Sequence, residues 1–173
     1  KSIEREAERR SVTLSWSWDQ AQIPLTRGDP SRLAEVITNL LSNGVKYTPR
    51  GGRVAIAIRP SHELAPPTVP LPPEKSRAGR YLLVSVEDTG IGVPQDEQVK
   101  VFQQFFRGRK AFAGGEGGTG LGLYLVRRIV EQHGGIVWFT SREGYGSTFF
   151  FTLPVAEPYA EGVARTGGDA RQT

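Results

Sequence analysis

Asn39 and Asn43 stand four residues apart, with Lys46 and Tyr47 three and four further on. On a helix that spacing places all four along one stripe. Asparagine is a poor helix former, so two on one stripe either lie in solvent or offer their amide oxygens to something. A hard cation such as Mg²⁺ takes such oxygens while keeping waters and phosphate ligands. A second segment, Glu87-Asp88-Thr89-Gly90-Ile91-Gly92-Val93-Pro94, puts a carboxylate at the end of a hydrophobic run, ahead of two glycines at spacing two. Those glycines let backbone and ligand approach closely. A carboxylate there could read an exocyclic amine, although the same residues could make a plain turn. The third segment, Gly117-Gly118-Thr119-Gly120-Leu121-Gly122-Leu123, runs straight into an amphipathic pattern. Glycines ahead of a helix turn unpaired N–H groups and the positive end of the helix dipole toward an anion. No Gly-Lys-Ser/Thr closes a phosphate loop here, and glycines spaced two and two do not match G-x-G-x-x-G. A flexible linker is the alternative, but linkers do not lead directly into so well patterned a helix.

The elements that must position these segments follow from periodicity. Residues 1–10 favour helix with almost no apolar face, as the remnant of an upstream helix or linker would. The domain itself is expected over 11–154, with 155–173 a disordered tail. Val12, Leu14, Trp16 and Trp18 alternate with Thr13, Ser15 and Ser17, the period of a strand with one buried face. Asp29 before Pro30 reads as a helix cap followed by proline at the first helical position. The helix that follows places Leu33, Val36, Ile37, Leu40, Leu41 and Val45 on one apolar face and stops at Pro49-Arg50-Gly51-Gly52.

Val54, Ile56 and Ile58 form a strand, and 81–87 another. Between them, residues 60–79 carry Pro60, Pro66, Pro67, Pro70, Pro72 and Pro73, a composition that excludes a packed element. Such an insertion is cheap in closure entropy, about 0.6 kcal/mol per doubling of length. A proline-rich recognition site is the sharper alternative to a tolerated loop. Pro94 to Phe105 predicts a short helix. Gly120 to His133 predicts a second amphipathic one, with Leu125, Val126, Ile129 and Val130 inward and Gly134-Gly135 as its stop. Residues 136–141 and 147–153 pair as a hairpin around Arg142–Gly146. The sum is an α+β domain, a two-layer sandwich of a mixed, mostly antiparallel sheet with helices on one face.

A chain of 173 residues can bury a core as one domain. Without cysteine, a disulfide framework and a thiolate metal site are both excluded. No apolar run approaches the roughly 18–20 residues that cross a bilayer, and no signal peptide opens the chain. No membrane contact by this segment is expected, whatever anchors a parent protein. The net charge of +4 comes from scattered Lys and Arg, which suits an anionic ligand or acidic partner better than nucleic acid.

Taken in chain order, the segments resemble the histidine kinase branch of the family shared with the gyrase, HSP90 and MutL ATPases, over roughly residues 12–153. NLLSNGVKYTP is similar to the asparagine box, EDTGIGVP to the first glycine box and VFQQFFRG to the phenylalanine box. GGTGLGL resembles the second glycine box, and Gly146-Ser147-Thr148-Phe149 the small motif on the last hairpin. Any one is modest, but five in order are very specific. The resemblance implies the Bergerat-type ATP-binding fold. It implies that Asn43 binds Mg²⁺ through its amide oxygen, with Asn39 close to the phosphates and Lys46 as a phosphate-contacting cation. Tyr47 becomes a wall of the nucleotide site. By the same resemblance Asp88 would accept a hydrogen bond from the adenine amino group, selecting ATP over GTP, while Gly90 and Gly92 would make room for the base beside Ile91. Arg107 resembles the basic residue that reaches the γ-phosphate, and Gly118, Thr119, Gly120, Leu121 and Gly122 would form the hinge and phosphate-binding end of an ATP lid spanning 95–119. Thr148 joins the nucleotide contacts from the last hairpin. The chain departs from the family pattern at Gly44, where alanine is frequent, and in the 60–79 insertion.

Hydrolytic members of that family carry a glutamate at the position of Asn39. A neutral amide is a poor general base, so phosphoryl transfer to a protein nucleophile fits better than hydrolysis. The implied protein is a cytoplasmic two-component histidine kinase. Asn39, Asn43, Lys46 and Arg107 would form its catalytic set, and a response regulator would receive the phosphate. The acceptor histidine is expected on a separate helical dimerisation segment. His62 lies among prolines and His133 at a helix end, so neither fits that role, and this chain by itself is expected to be a monomer. A serine-directed kinase of the anti-sigma-factor type and a non-catalytic nucleotide-binding or docking module are the competing readings.

Overall fold

The apolar alternation from Val54 to Asp88 and from Ile136 to Pro154 folds into one sheet. The computed structural model describes residues 2–18, 23–109 and 118–156. Its elements are α1 (Ser2–Arg10), β1 (Thr13–Ser17), α2 (Pro30–Tyr47), β2 (Arg53–Glu63), β3 (Ala78–Asp88), α3 (Gly122–Gln132), β4 (Ile136–Arg142) and β5 (Gly146–Pro154). The strands lie in the order β1-β2-β3-β5-β4. β1 and β2 run parallel because α2 crosses over between them, and every other neighbour is antiparallel.

One face of the sheet offers Val54, Ile56, Val84, Val86, Phe149 and Phe151 to the helices. Against it α2 sets Val36, Leu40 and Val45, and α3 sets Val126, Ile129 and Val130. The start of α2 is fixed as its sequence predicts. Pro30 opens the helix, and Asp29 Oδ1 accepts from the backbone N–H of Ser31 at 2.8 Å and of Arg32 at 3.2 Å. A cap of this kind stabilises a helix by about 1 kcal/mol. The same Asp29 donates its own N–H to His133 Nε2 at 3.0 Å, and His133 Nδ1 lies 2.7 Å from Ile129 O. His133 thus caps the end of α3 and ties it to the start of α2.

Four expectations are corrected. α1 has an apolar face that its sequence did not suggest: Ala7 is buried, Ile3 packs on the core, and Arg10 donates to Lys46 O at 3.2 Å. β1 has no continuous buried face. Val12 is buried and Leu14 half-buried, but Trp16 and Trp18 are 63 % and 47 % exposed, because β1 is an edge strand that the helix layer covers only at its start. Pro94 to Phe105 holds one 3₁₀ turn, Gln98–Lys100, in place of a helix. Phe105 stops any continuation: its φ is 62° and its N–H donates to Gly120 O at 3.0 Å.

The fourth correction concerns residues 60–79. β2 continues to Glu63 and β3 begins at Ala78, with Pro60 tolerated where β1 has ended and β2 has one neighbour. Leu64 and Ala65 are buried against Ile136 on the other face of the sheet, with Val69, Leu71, Tyr81 and Trp138 around them. Arg77 organises the turn, donating to Ala65 O, Pro66 O and Val69 O at 2.7, 2.6 and 3.1 Å. Lys75 Nζ donates to Gly134 O at 2.7 Å, and Thr152 Oγ1 to Leu64 O at 2.7 Å. The segment is a folded cap on the back of the sheet. Arg77→Met is expected to destabilise the domain by about 1–2 kcal/mol. Thermal unfolding followed by circular dichroism checks this, and a wild-type melting temperature would show that Arg77 does not hold the cap.

Candidate functional site

The polar stripe of α2 lines a cleft between α2, the end of β3 and the start of α3. A cavity of about 330 Å³ opens there. Asn39, Asn43, Lys46 and Tyr47 line it from α2; Asp88, Ile91 and Gly92 from β3 and its turn; Gly118, Thr119, Gly120 and Gly122 from the approach to α3; and Arg107 between them. Segments distant in sequence converge because the backbone is stitched across them. Ile91 N–H donates to Tyr47 O at 3.1 Å, Gly144 N–H to Ile91 O at 2.8 Å, and Phe105 N–H to Gly120 O at 3.0 Å.

Gly92 and Gly120 are required by this stitching. Gly92 has φ 63°, and a Cβ on it would stand 2.1 Å from Arg142 O; Gly120 has φ 70°, and its Cβ would stand 2.7 Å from the Phe105 carbonyl carbon. Both are left-handed positions pressed on neighbouring backbone, where only glycine fits without strain.

The cleft is chemically polarised. At one end Asp88 is buried, 8 % exposed, and its Oδ1 accepts from Gly90 N–H at 2.8 Å and Ser147 N–H at 3.2 Å. Burial pushes its carboxyl pKa up, the two backbone N–H groups oppose that rise, and neighbouring Glu87 adds to it. Both of these bonds fall on Oδ1. At the other end, Asn39 donates from Nδ2 to Glu35 O at 2.9 Å, which turns Oδ1 toward Gly122. Lys46 Nζ lies over the Tyr47 ring, 4.8 Å from its centroid, and beside Gly118. The start of α3 has no side-chain cap bond, and Gly122 and Leu123 of its first turn line the cleft.

Three sequence-predicted residues stand outside the lining. Gly90 sits behind Asp88 and holds its carboxylate. Leu121 precedes α3, taking a 3.3 Å bond from its N–H to Thr119 Oγ1. Thr148 is a correction: it pairs with Glu87 while Ser147 pairs with Asp88, so strand alternation turns Thr148 to the opposite face. Ser147 takes the place intended for Thr148 and lines the cleft. Glu97, Phe106 and Phe149 also line it and were not anticipated. Phe102 and Phe149 meet edge to face at 6.4 Å, which explains part of the VFQQFFRG motif as packing. Residues 110–117 of the expected lid, Gly117 included, and the tail from 157 lie outside the described residues.

A carboxylate, amides, a cation and the start of a helix line one cleft, a combination suited to an amine-bearing base linked to phosphates. Comparison with known proteins gives that class its family. The sequence profile described as histidine kinase-, DNA gyrase B- and HSP90-like ATPase matches residues 28–157, and the chain belongs to this family. It is 39% identical over 129 residues to the sensor histidine kinase WalK of Bacillus subtilis, covering 75% of this chain and 19% of that protein. It is 36% identical over 133 residues to the adaptive-response sensory kinase SasA of Synechococcus elongatus, covering 77% and 30%. The chain therefore spans under a third of either relative's length. Among solved structures, the mycobacterial sensor histidine kinase MprB superposes with a TM-score of 0.66 at 28% identity, over 89% of this chain and 91% of that one. Full-length ShkA in complex with AMPPNP superposes with a TM-score of 0.68 at 25% identity, over 91% and 28%. Among the described residues no helix is long and apolar enough to cross a membrane.

Proposed function

We propose that this domain binds Mg²⁺·ATP in the cleft and transfers the γ-phosphoryl group to a histidine on a separate helical dimerisation segment, from which a response regulator takes it. The observation that carries the reading is the polarity of one cleft. Asp88 lines the cleft and would accept from an adenine amino group, while Asn39, Asn43 and Lys46 line the same cleft and would meet the phosphates. Arg107, from the cleft wall, would meet the terminal phosphate. The AMPPNP carried by ShkA supports nucleotide binding in this fold.

The donor set fits a divalent cation that arrives with phosphate. Among the described residues no group of three or more His, Cys, Asp or Glu could hold a metal by itself. Amide oxygens of Asn43 and Asn39 would add to phosphate and water ligands. Bound there, the ion supplies neutralisation of charge on the phosphate oxygens. The chain's own residues then orient the nucleotide and stabilise developing charge, which is most of what phosphoryl transfer asks of a protein. Lys46 and the α3 N–H groups would meet the phosphates. Asn39 has no basic group with which to activate water, so transfer to a presented imidazole is favoured over hydrolysis.

Mixing the domain with a histidine-bearing dimerisation segment and Mg²⁺ and ATP is expected to yield an acid-labile, alkali-stable phosphoprotein. An acid-stable product would point instead to a serine acceptor. A folded domain that binds ATP yet labels no segment would overturn the kinase reading.

A further inference from the structure

Glu97 is a carboxylate held at 6 % exposure in the wall of the cleft. Burying such a charge without a partner is costly. Its partner comes from across the segment that carries Arg107. Arg109 donates to Glu97 Oε1 from Nε at 2.7 Å and from its backbone N–H at 3.2 Å. The same guanidinium reaches Asp96 Oδ2 through Nη2 at 2.6 Å. Between Arg107 and Arg109, Gly108 runs so close that a Cβ there would stand 2.7 Å from Glu97 Oε2. Both oxygens of Glu97 are thus pressed on by the 108–109 backbone, and Arg107 is the next residue along.

The Arg109 side chain is 72 % exposed, so water screens its side of the ion pairs. What the arrangement fixes is geometry. A guanidinium forked between two carboxylates, with a main-chain bond to one of them, permits few placements of residues 107–109. We propose that Glu97 and Arg109 are positioning residues, which clamp the 107–109 backbone so that Arg107 is already set against the terminal phosphate when nucleotide binds. This rests on the cleft being the ATP site. Ordering one long side chain at the moment of binding costs about two- to tenfold in affinity. The clamp removes that cost for a ligand with a γ-phosphate and not for one without.

Calorimetric titration with ADP and with a non-hydrolysable ATP analogue, both with Mg²⁺, tests it on the wild-type domain, Glu97→Gln, Arg109→Met, Arg107→Met and the double variants. Each of the three single variants is expected to lower the analogue-to-ADP affinity ratio by about two- to tenfold, with Arg109→Lys restoring part of the loss. Glu97→Gln and Arg109→Met combined should cost no more than either alone, and Glu97→Gln should cost nothing further once Arg107 is methionine. An unchanged ratio in the exposed-site variant Arg109→Met, or a further loss from Glu97→Gln in the Arg107→Met background, would overturn the clamp. Failure of the wild-type domain to bind either nucleotide would overturn the reading of the cleft, and the clamp with it.

Discussion

Asp88→Asn is expected to weaken ATP binding by about ten- to hundredfold while making the unliganded domain more stable at neutral pH. Asparagine can keep the two backbone bonds on Oδ1, from Gly90 and Ser147. It then presents an amide NH₂ where Oδ2 stood, and two donors face the adenine amino group. Losing a hydrogen bond to a buried charged acceptor costs about 1.5–3 kcal/mol, which is the expected factor.

The stability half follows from the titration of Asp88. Burial raises its pKa above the ordinary aspartate value. The native state therefore binds the proton more tightly than the unfolded chain. The contribution of this group is fully present below the unfolded pKa and is lost as pH rises through the folded one. At neutral pH the native domain carries a buried carboxylate that asparagine removes. Thermal unfolding of both proteins at pH 4 and pH 7 should show the variant's advantage growing with pH. An advantage that shrinks with pH, or ATP binding as tight as wild type, would contradict the role of Asp88.

The second large effect is expected at Asn43. Asn43→Ala should slow phosphoryl transfer by about 100-fold or more, because it removes a fixed oxygen ligand where charge develops. The Asp88 end of the cleft is untouched, so nucleotide affinity without Mg²⁺ should change far less than affinity with it. The initial rate of transfer to a histidine segment, read beside affinities with and without Mg²⁺, separates these. A transfer rate near wild type, or full retention of the Mg²⁺ effect on affinity, would remove Asn43 from the proposed catalytic set.

The helices and the last hairpin were legible because period and punctuation agree. Asp29-Pro30 starts α2, an apolar stripe from Leu33 to Val45 carries it, and Gly134-Gly135 stops α3. The polar stripe from Asn39 to Tyr47 was readable for the same reason: a helix converts spacing into direction. Where neighbours decide, the pattern failed. Trp16 and Trp18 alternate like buried residues, yet an edge strand leaves them in solvent. The prolines of 60–79 hid a cap that Arg77 assembles from carbonyls, a device with no local signature. Ser147 displaced Thr148 through a one-residue register, which only strand pairing can reveal. Glu97 was missed because its significance depends on Arg109, across a turn that reads as helix.

The central claim is that Asp88 and the polar stripe of α2 make one adenine-nucleotide site. Calorimetric titration of the isolated domain with ATP and with GTP, each with Mg²⁺, addresses it most directly. The account predicts saturable binding of one ATP per domain and affinity for GTP lower by about tenfold or more, because guanine presents a carbonyl to Asp88 where adenine presents an amine. Equal affinity for the two nucleotides, or no binding of either by a folded domain, would contradict it.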